Sequence, residues 1–331
     1  MSALLGIKQN NFVVFGRCGM DLFPDPPGTK VRDGHMFASG LGGSSANIAA
    51  GLCKFGAQAA LVTSVSDDAV GEYCVGQLQH YGVDTRHIKT LQGEYRTSLA
   101  VYESVLDGHQ TVIYRNNAVD FQVTSDDVNA VDYASYGALI TAGTVFAADP
   151  SRSATFHAFE RAKAAGMPII FDIDYRPYSW PSADVAADVL SRAGAMSDVI
   201  VGNDEEFGFM AGDIAKGLDM ARKLSQTSAE IVVYKMGEKG AITFAQGQEL
   251  HTGIYPVQAL KPTGAGDSFM AGFLSGLARG DDMKTSVLRG SACAAIVVGL
   301  PGCAPAMPGE SRLQQFLADH PGPSEPGPTE I

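Results

Sequence analysis

The sequence lacks the features that mark most specialised classes. Its five cysteines, Cys18, Cys53, Cys74, Cys293 and Cys303, are odd in number and form no CxxC pair. That spacing fits reduced thiols in a cytoplasm rather than a disulfide framework or a zinc site. Seven histidines make no HxH or HExxH arrangement, so the usual transition-metal signals are missing. No apolar run reaches membrane-spanning length, and the opening MSALLGIKQNN is too short and polar for a signal peptide. Positive charge is scarce: 24 Lys and Arg stand against 36 Asp and Glu, a net charge of −12. Such a balance disfavours nonspecific binding to nucleic acid or to an anionic membrane. A cytoplasmic protein with small-molecule partners is expected.

Familiar nucleotide fingerprints are missing too. There is no GxxxxGK[ST], which excludes a P-loop. Gly16-Arg17-Cys18-Gly19 follows the first strand pattern with the wrong spacing for a dinucleotide site, which removes the main support for an NAD-dependent dehydrogenase. The HRD and DFG elements of protein kinases do not occur.

What the chain does carry is alternation. Strand patterns at 11–15, 60–65, 137–142, 168–173 and 198–201 are followed by helix patterns that start at about 44, 71, 151, 183 and 203. Residues 23–35 read as a Pro/Gly/Asp loop. Residues 97–104 and 109–115 break the rhythm as two strands around Leu106-Asp107-Gly108, a hairpin of a small projecting sheet. Strands 230–236 and 240–245 pair across Gly237–Gly240, and helices at 265–279 and 282–299 follow. From His320 the chain is rich in Pro, Gly and Glu and is expected to be disordered. At 331 residues, 45% of them hydrophobic, one large α/β domain with a largely parallel, helix-covered sheet is expected.

The stretch Lys261–Gly272, KPTGAGDSFMAG, holds the most chemistry. Glycines 264 and 266 let an anion approach the backbone, and the helix that follows offers unpaired N–H groups and a positive dipole end. Asp267 stands beside that hole, where a carboxylate can take a proton from an attacking hydroxyl. Anion hole and adjacent base make a phosphoryl-transfer constellation. A glycine turn with Asp capping a core helix is the structural alternative.

Four ordered segments carry a family resemblance: GGSSAN at 42–47, Asn203-Asp204-Glu205-Glu206, Lys235–Gly240 and PTGAGDSFMAGF at 262–273. Their order and spacing resemble the ribokinase-like (PfkB) carbohydrate kinases over about residues 11–318. The resemblance implies a mostly parallel central sheet covered by helices on both faces, with a small β-sheet lid drawn from about 16–40 and 94–120. It implies ATP and Mg²⁺ as cofactors and a sugar as acceptor; pairing of lids into a homodimer is common in the family, with a monomer as the alternative. By position, Asp267 is the base, and Gly264, Ala265 and Gly266 hold the transferring phosphoryl charge. Asn203 and Glu206 organise Mg²⁺ and its waters, while Asn203, Lys235, Gly237, Gly240, Thr263, Gly264 and Gly266 form the nucleotide side. Asp21, Gly42, Gly43 and Asn47 line the sugar pocket.

Arg115 and Arg176 narrow the acceptor, because a carboxylate, unlike a neutral sugar, calls for guanidinium groups. Arg176 pairing with Asp172 or Asp174 in a structural network is the other reading of that segment. The runs YRNNAVD, DIDYRPYSW and GCAPAMP resemble the family branch that phosphorylates the terminal hydroxyl of 5-dehydro-2-deoxy-D-gluconate in inositol catabolism. The branch acting on 2-keto-3-deoxygluconate shares these themes but has Asn where Asp174 stands here. A non-catalytic sugar or nucleotide sensor on the same fold is the alternative of another class. Six positions before Asp267, where many relatives place an Asp that helps bind a monovalent cation, this chain has Lys261. Its ammonium is expected to replace that cation.

Overall fold

The computed structural model describes residues 2–106 and 108–327. Asp107, in the expected hairpin turn, and the last four residues of the expected disordered tail lie outside the described residues.

The chain enters through a short helix, α1 (Ala3–Ile7), and the first strand, β1 (Asn11–Phe15). Two strands, β2 (Gly19–Asp25) and β3 (Met36–Gly42), then lead into α2 (Ser44–Lys54), β4 (Gln58–Ser66), α3 (Ala69–His80) and β5 (Ile88–Leu91). The hairpin follows as β6 (Ser98–Tyr102) and β7 (Thr111–Tyr114), then α4 (Ser125–Asn129). Regular alternation resumes with β8 (Ala138–Ala142), α5 (Ser151–Ala164), β9 (Ile169–Asp172), α6 (Ala183–Ala195), β10 (Val199–Asn203) and α7 (Asp204–Ala211). The last part comprises α8 (Gly217–Thr227), β11 (Ile231–Lys235), β12 (Ala241–Ala245), β13 (Gln248–Thr252), α9 (Ala265–Arg279), α10 (Met283–Val298) and α11 (Glu310–Asp319).

Nine strands form one sheet in the order β13-β12-β11-β10-β9-β8-β1-β4-β5. From β11 to β5 every pairing is parallel, and β12 and β13 extend the edge antiparallel. Strand side chains alternate between faces, so β1 sends Val13 and Phe15 into one core and Phe12 and Val14 into the other. The first core packs phenylalanines 146, 159, 171 and 207. The second packs Ile48, Leu52, Phe273 and Leu274 from α2 and α9. Both sheet faces are therefore buried, as a parallel sheet requires.

β1 pairs with β4 on one side and β8 on the other, so the direction of strand addition reverses there. Loops leaving β1 and β8 at such a switch point part and open a crevice at the carboxyl ends. A second, four-stranded sheet in the order β3-β2-β6-β7 projects over that crevice. It leaves Met36, Phe37, Val112 and Tyr114 exposed on the lid.

Several elements depart from the sequence reading. Part of the loop read at 23–35 is the end of β2, whose alternately buried residues pair with β3 despite Pro24 and Pro26 nearby. The reading missed α8, β13 and α11, which are short, amphipathic or edge elements with weak local patterns. Part of the tail is held: Ser324 N–H donates to Ile254 O at 2.7 Å and Gly327 N–H to Lys239 O at 2.9 Å. Its Pro/Gly composition gives no sign of that, because the partners are backbone groups far away in sequence. No helix among the described residues is long and apolar enough to cross a membrane.

The pair α9 and α10 sets where the crevice's glycine turn sits. Small residues let the two backbones approach, and a Cβ built on Gly276 would lie 2.9 Å from Ser286 Oγ and 3.0 Å from its Cα. Gly276→Val is expected to lower unfolding free energy by about 1–3 kcal/mol, as overpacking does. Urea titration should show the shift in midpoint without a change in slope.

Candidate active site

The carboxyl ends of β1, β8, β9, β10 and β11 deliver Arg17, Thr144, Asp172–Arg176, Asn203 and Lys235 to one crevice. α9 closes it from the side. Gly264 is the N-cap of α9 at φ 85°, a left-handed conformation that L side chains rarely adopt, and no side chain caps the helix. Ala265 N–H reaches Pro262 O at 3.4 Å. Among the described residues the N–H groups of Gly264, Gly266 and Asp267 have no acceptor, which leaves an anion hole at the positive end of the helix dipole.

Asp267 sits in the first turn of α9, and Asn47 on α2 donates from Nδ2 to its Oδ2 at 2.8 Å. That bond fixes the carboxylate, leaving Asn47 Oδ1 buried without a partner. An orphaned buried acceptor in a crevice fits a ligand hydroxyl. Burial, with Asp174 adding to it, pushes Asp267 up to about 7. Asp21, on lid strand β2, is 4% exposed. Burial raises it to about 6 against the pull of Arg17. A Cβ on Gly42 would lie 1.9 Å from Asp21 Oδ1, so only glycine lets that carboxylate sit there. Gly43, the N-cap of α2, completes this wall.

Asn203 and Glu206 form a reciprocal capping box at α7: Glu206 N–H donates to Asn203 Oδ1 and Asn203 N–H to Glu206 Oε2, both at 2.8 Å. Asn203 Oδ1 is therefore engaged with backbone, while Glu206 Oε1 makes no hydrogen bond among the described residues. Burial raises both Glu206 and Asp172, and Lys235 opposes it in each case. Lys235 Nζ lies at the start of α9, 3.6 Å from where a Cβ on Gly266 would be and 5.5 Å over the Phe269 ring. Gly237 and Gly240 bound the turn between β11 and β12.

Asp174 holds φ 35°, a left-handed backbone that Asp tolerates better than most residues. Its carboxylate pairs with Arg176 at 2.7 Å. Burial works against that charge, but Arg176, a Ser44 hydrogen bond, Arg17 and Arg115 keep it below the usual carboxylate range. Arg115 is committed to Asp120 and to Thr144 O. Lys261 is fully buried, and its ammonium donates to Thr263 O and to Val297 O at 3.4 Å. Among the described residues no group of three His, Cys, Asp or Glu is placed to hold a metal ion on its own.

The sequence reading gave neither Arg17 nor Asp172 a role in the site; Asp172 stood there only as a structural partner for Arg176. Arg17 follows β1 after Gly16 and bonds Ser98 Oγ on lid strand β6 at 2.8 Å. Its one available signal was position, at the end of the first strand and four residues before Asp21.

A lidded α/β sheet with a glycine-opened helix start beside a buried Asp defines a kinase-type site, and the comparisons agree. Residues 9–309 match the pfkB family carbohydrate kinases, and the chain belongs to that family of sugar phosphotransferases. It is 34% identical over 310 residues to the 5-dehydro-2-deoxygluconokinase of Photobacterium profundum, covering 92% of this chain and 94% of that one. The fructokinase of Vibrio cholerae O395, solved with fructose, ADP and calcium, superposes with TM-score 0.81 at 25% identity, covering 93% and 99% of the chains. A Xylella fastidiosa fructokinase with bound ATP gives TM-score 0.82 at 21% identity over 94% and 98%.

The raised Asp267 links to stability with a definite sign. Below about pH 4 both folded and unfolded states keep the proton. Between there and about 7 the unfolded chain releases it more readily, so this carboxyl costs stability as pH rises. Asp267→Asn is expected to be more stable than the parent by a margin that grows from about pH 4 to about pH 7 and then levels off. Urea unfolding across that range checks this, and a margin independent of pH would contradict it.

Proposed function

We propose that the protein transfers the γ-phosphoryl group of ATP to the terminal hydroxyl of 5-dehydro-2-deoxy-D-gluconate. Asp267 carries this reading, because a carboxyl raised to about 7 is oriented by Asn47 beside an uncapped helix start. In its ionised form Asp267 takes the hydroxyl proton as the oxygen attacks phosphorus and the bond to ADP breaks. The N–H groups of Gly264, Gly266 and Asp267 hold the charge on the transferring group, with Lys235 and Arg176 close by. Asp21 and Asn47 Oδ1 suit the acceptor's other hydroxyls. Closure of the lid keeps out water that would otherwise take the phosphoryl group. Bound together with ATP, Mg²⁺ would supply positive charge that neutralises its phosphates. Glu206 Oε1 and Asp172, carboxyl oxygens without hydrogen bonds among the described residues, fit the waters of a phosphate-held Mg²⁺.

The keto-acid acceptor is supported by the cluster of guanidinium groups and by the Photobacterium relative's name. Initial rates with 5-dehydro-2-deoxygluconate, 2-keto-3-deoxygluconate, fructose and ribose test it. The first should give the highest kcat/KM, and Asp267→Asn should lower kcat by about 10²–10⁴, the weight of a general base. Preference for 2-keto-3-deoxygluconate would move the acceptor within the acids, and preference for ribose or fructose would refute an acid. ATP binding without turnover of any sugar would favour a sensor.

Lys261 replaces a monovalent activator. Its ammonium occupies the carbonyl oxygens of Thr263 and Val297, beside the glycine turn, where a cation would otherwise sit. Activity should be the same in K⁺ and in a bulky organic cation at equal ionic strength. A severalfold rise in K⁺ would disprove the replacement.

A further inference from the structure

Three guanidinium groups, those of Arg17, Arg115 and Arg176, surround Asp174 in the crevice, and their partners divide the work. Arg115 sends Nε and Nη2 to Asp120 Oδ2 at 3.1 and 2.5 Å and Nη1 to Thr144 O at 2.9 Å, and its Cζ stacks 4.0 Å over Phe121. Its fork is already filled by a buried carboxylate. Arg176 pairs with Asp174, and the charges it meets next are those of Glu206, Tyr178 and Asp267. It therefore faces the phosphoryl side.

Arg17 differs from both. It is 7% exposed, yet its guanidinium makes a single hydrogen bond among the described residues, from Nη1 to Ser98 Oγ. No carboxylate among them lies within ion-pair distance of it. Nε and Nη2 thus form an open fork that keeps access to the crevice on an otherwise buried side chain, where a charge gains most from a paired partner. Arg17 leaves β1 at the switch point where open α/β sheets bind ligands. Both Arg17 and Arg176 act on Asp174 and Tyr178, but Asp21 and Arg115 feel the charge of Arg17, whereas Asp267 feels that of Arg176.

We propose that Arg17, not Arg115, receives the carboxylate of the acid acceptor, through its open Nε/Nη2 fork at the end of the pocket away from the transferred phosphoryl group. The assignment rests on the acid-acceptor reading above. Two N–H groups in a plane match a carboxylate bidentately, as neither a hydroxyl nor an amide does. With Nη1 bonded to the lid, the same guanidinium joins acid recognition to the position of β6. Arg115, by contrast, holds Asp120 and the chain after β7 in place.

The test compares kcat/KM for 5-dehydro-2-deoxygluconate with that for its uncharged carboxamide, in the full-length parent, Arg17→Gln and Arg17→Lys. The parent should prefer the acid by about 100-fold, and Arg17→Gln should reduce that preference to within about threefold, chiefly through KM of the acid. Arg17→Lys keeps the charge but loses the fork, so its preference should fall between the two; it also serves as the folded variant if the glutamine substitution does not fold. An undiminished preference in either variant would overturn the assignment while leaving the acid-acceptor reading intact. A parent that turns over the carboxamide as well as the acid, or turns over neutral sugars alone, would overturn the acid-acceptor reading itself and the role of Arg17 with it.

Discussion

The start of α9 has to be left uncapped inside a cleft that already holds too much negative charge. Asp21, Asp172, Glu206 and Asp267 all have carboxyls that burial pushes upward. Full ionisation of such a cluster in a low-dielectric crevice is unfavourable, so its members share protons or borrow cations. Lys235, Lys261, Arg17 and Arg176 supply that positive charge, and the helix dipole supplies more without adding a side chain. In a chain of net charge −12 this local reversal of sign is what makes room for a triphosphate. Burial, with the charges of Asp174 and Asp21 adding to it, moves Asp267 to about 7, where a carboxylate is basic enough to accept a proton and still ionised near neutrality.

The fold serves this arrangement mainly through two close approaches. α9 must lie against α10 so that Gly264 faces the strand ends, and small residues along both helices allow it. α2 must lie beside α9 so that Asn47 reaches Asp267 across 220 positions of sequence. Both approaches are set by backbone spacing, which helps to explain the density of Gly, Ala and Ser in these helices.

How much of this could be read from the sequence varies with how local the signal is. The glycine turn and Asp267 were legible because anion hole, helix start and a carboxylate suited to act as base lie within a few consecutive residues. The same holds for GGSSAN at the start of α2. Asn203 and Glu206 were visible as a spaced pair, but their spacing is also that of a capping box, and the structure shows both residues using it. Arg115 and Arg176 were legible as arginines near acids, whereas the identity of each partner was not, because Asp120 and Asp174 compete for them only in three dimensions. Arg17 carried no local signal beyond its position after the first strand. Its openness depends on Ser98, 81 positions away, and on the carboxylates that other strands do not bring to it. The end of lid strand β2 was read as loop because Pro24 stands in it, and β3 showed no strand pattern because its first residues face solvent while its last are buried.

Lys261 illustrates a different limit. A lysine in sequence is most economically placed at the surface, and this one is fully buried. Its desolvation lowers its pKa, while Cys303, Asp21 and Asp267 pull it back toward the charged form. An ammonium tethered by its own chain arrives at the Thr263 and Val297 carbonyls with the fold, whereas a free ion would have to be bound from solution and would leave in its absence. The tether also ties the charge to the turn before α9, since Thr263 belongs to that turn and Val297 to α10. One side chain thereby fastens the anion hole to the helix against which α9 packs, so that electrostatics and packing at this site constrain the same few backbone atoms.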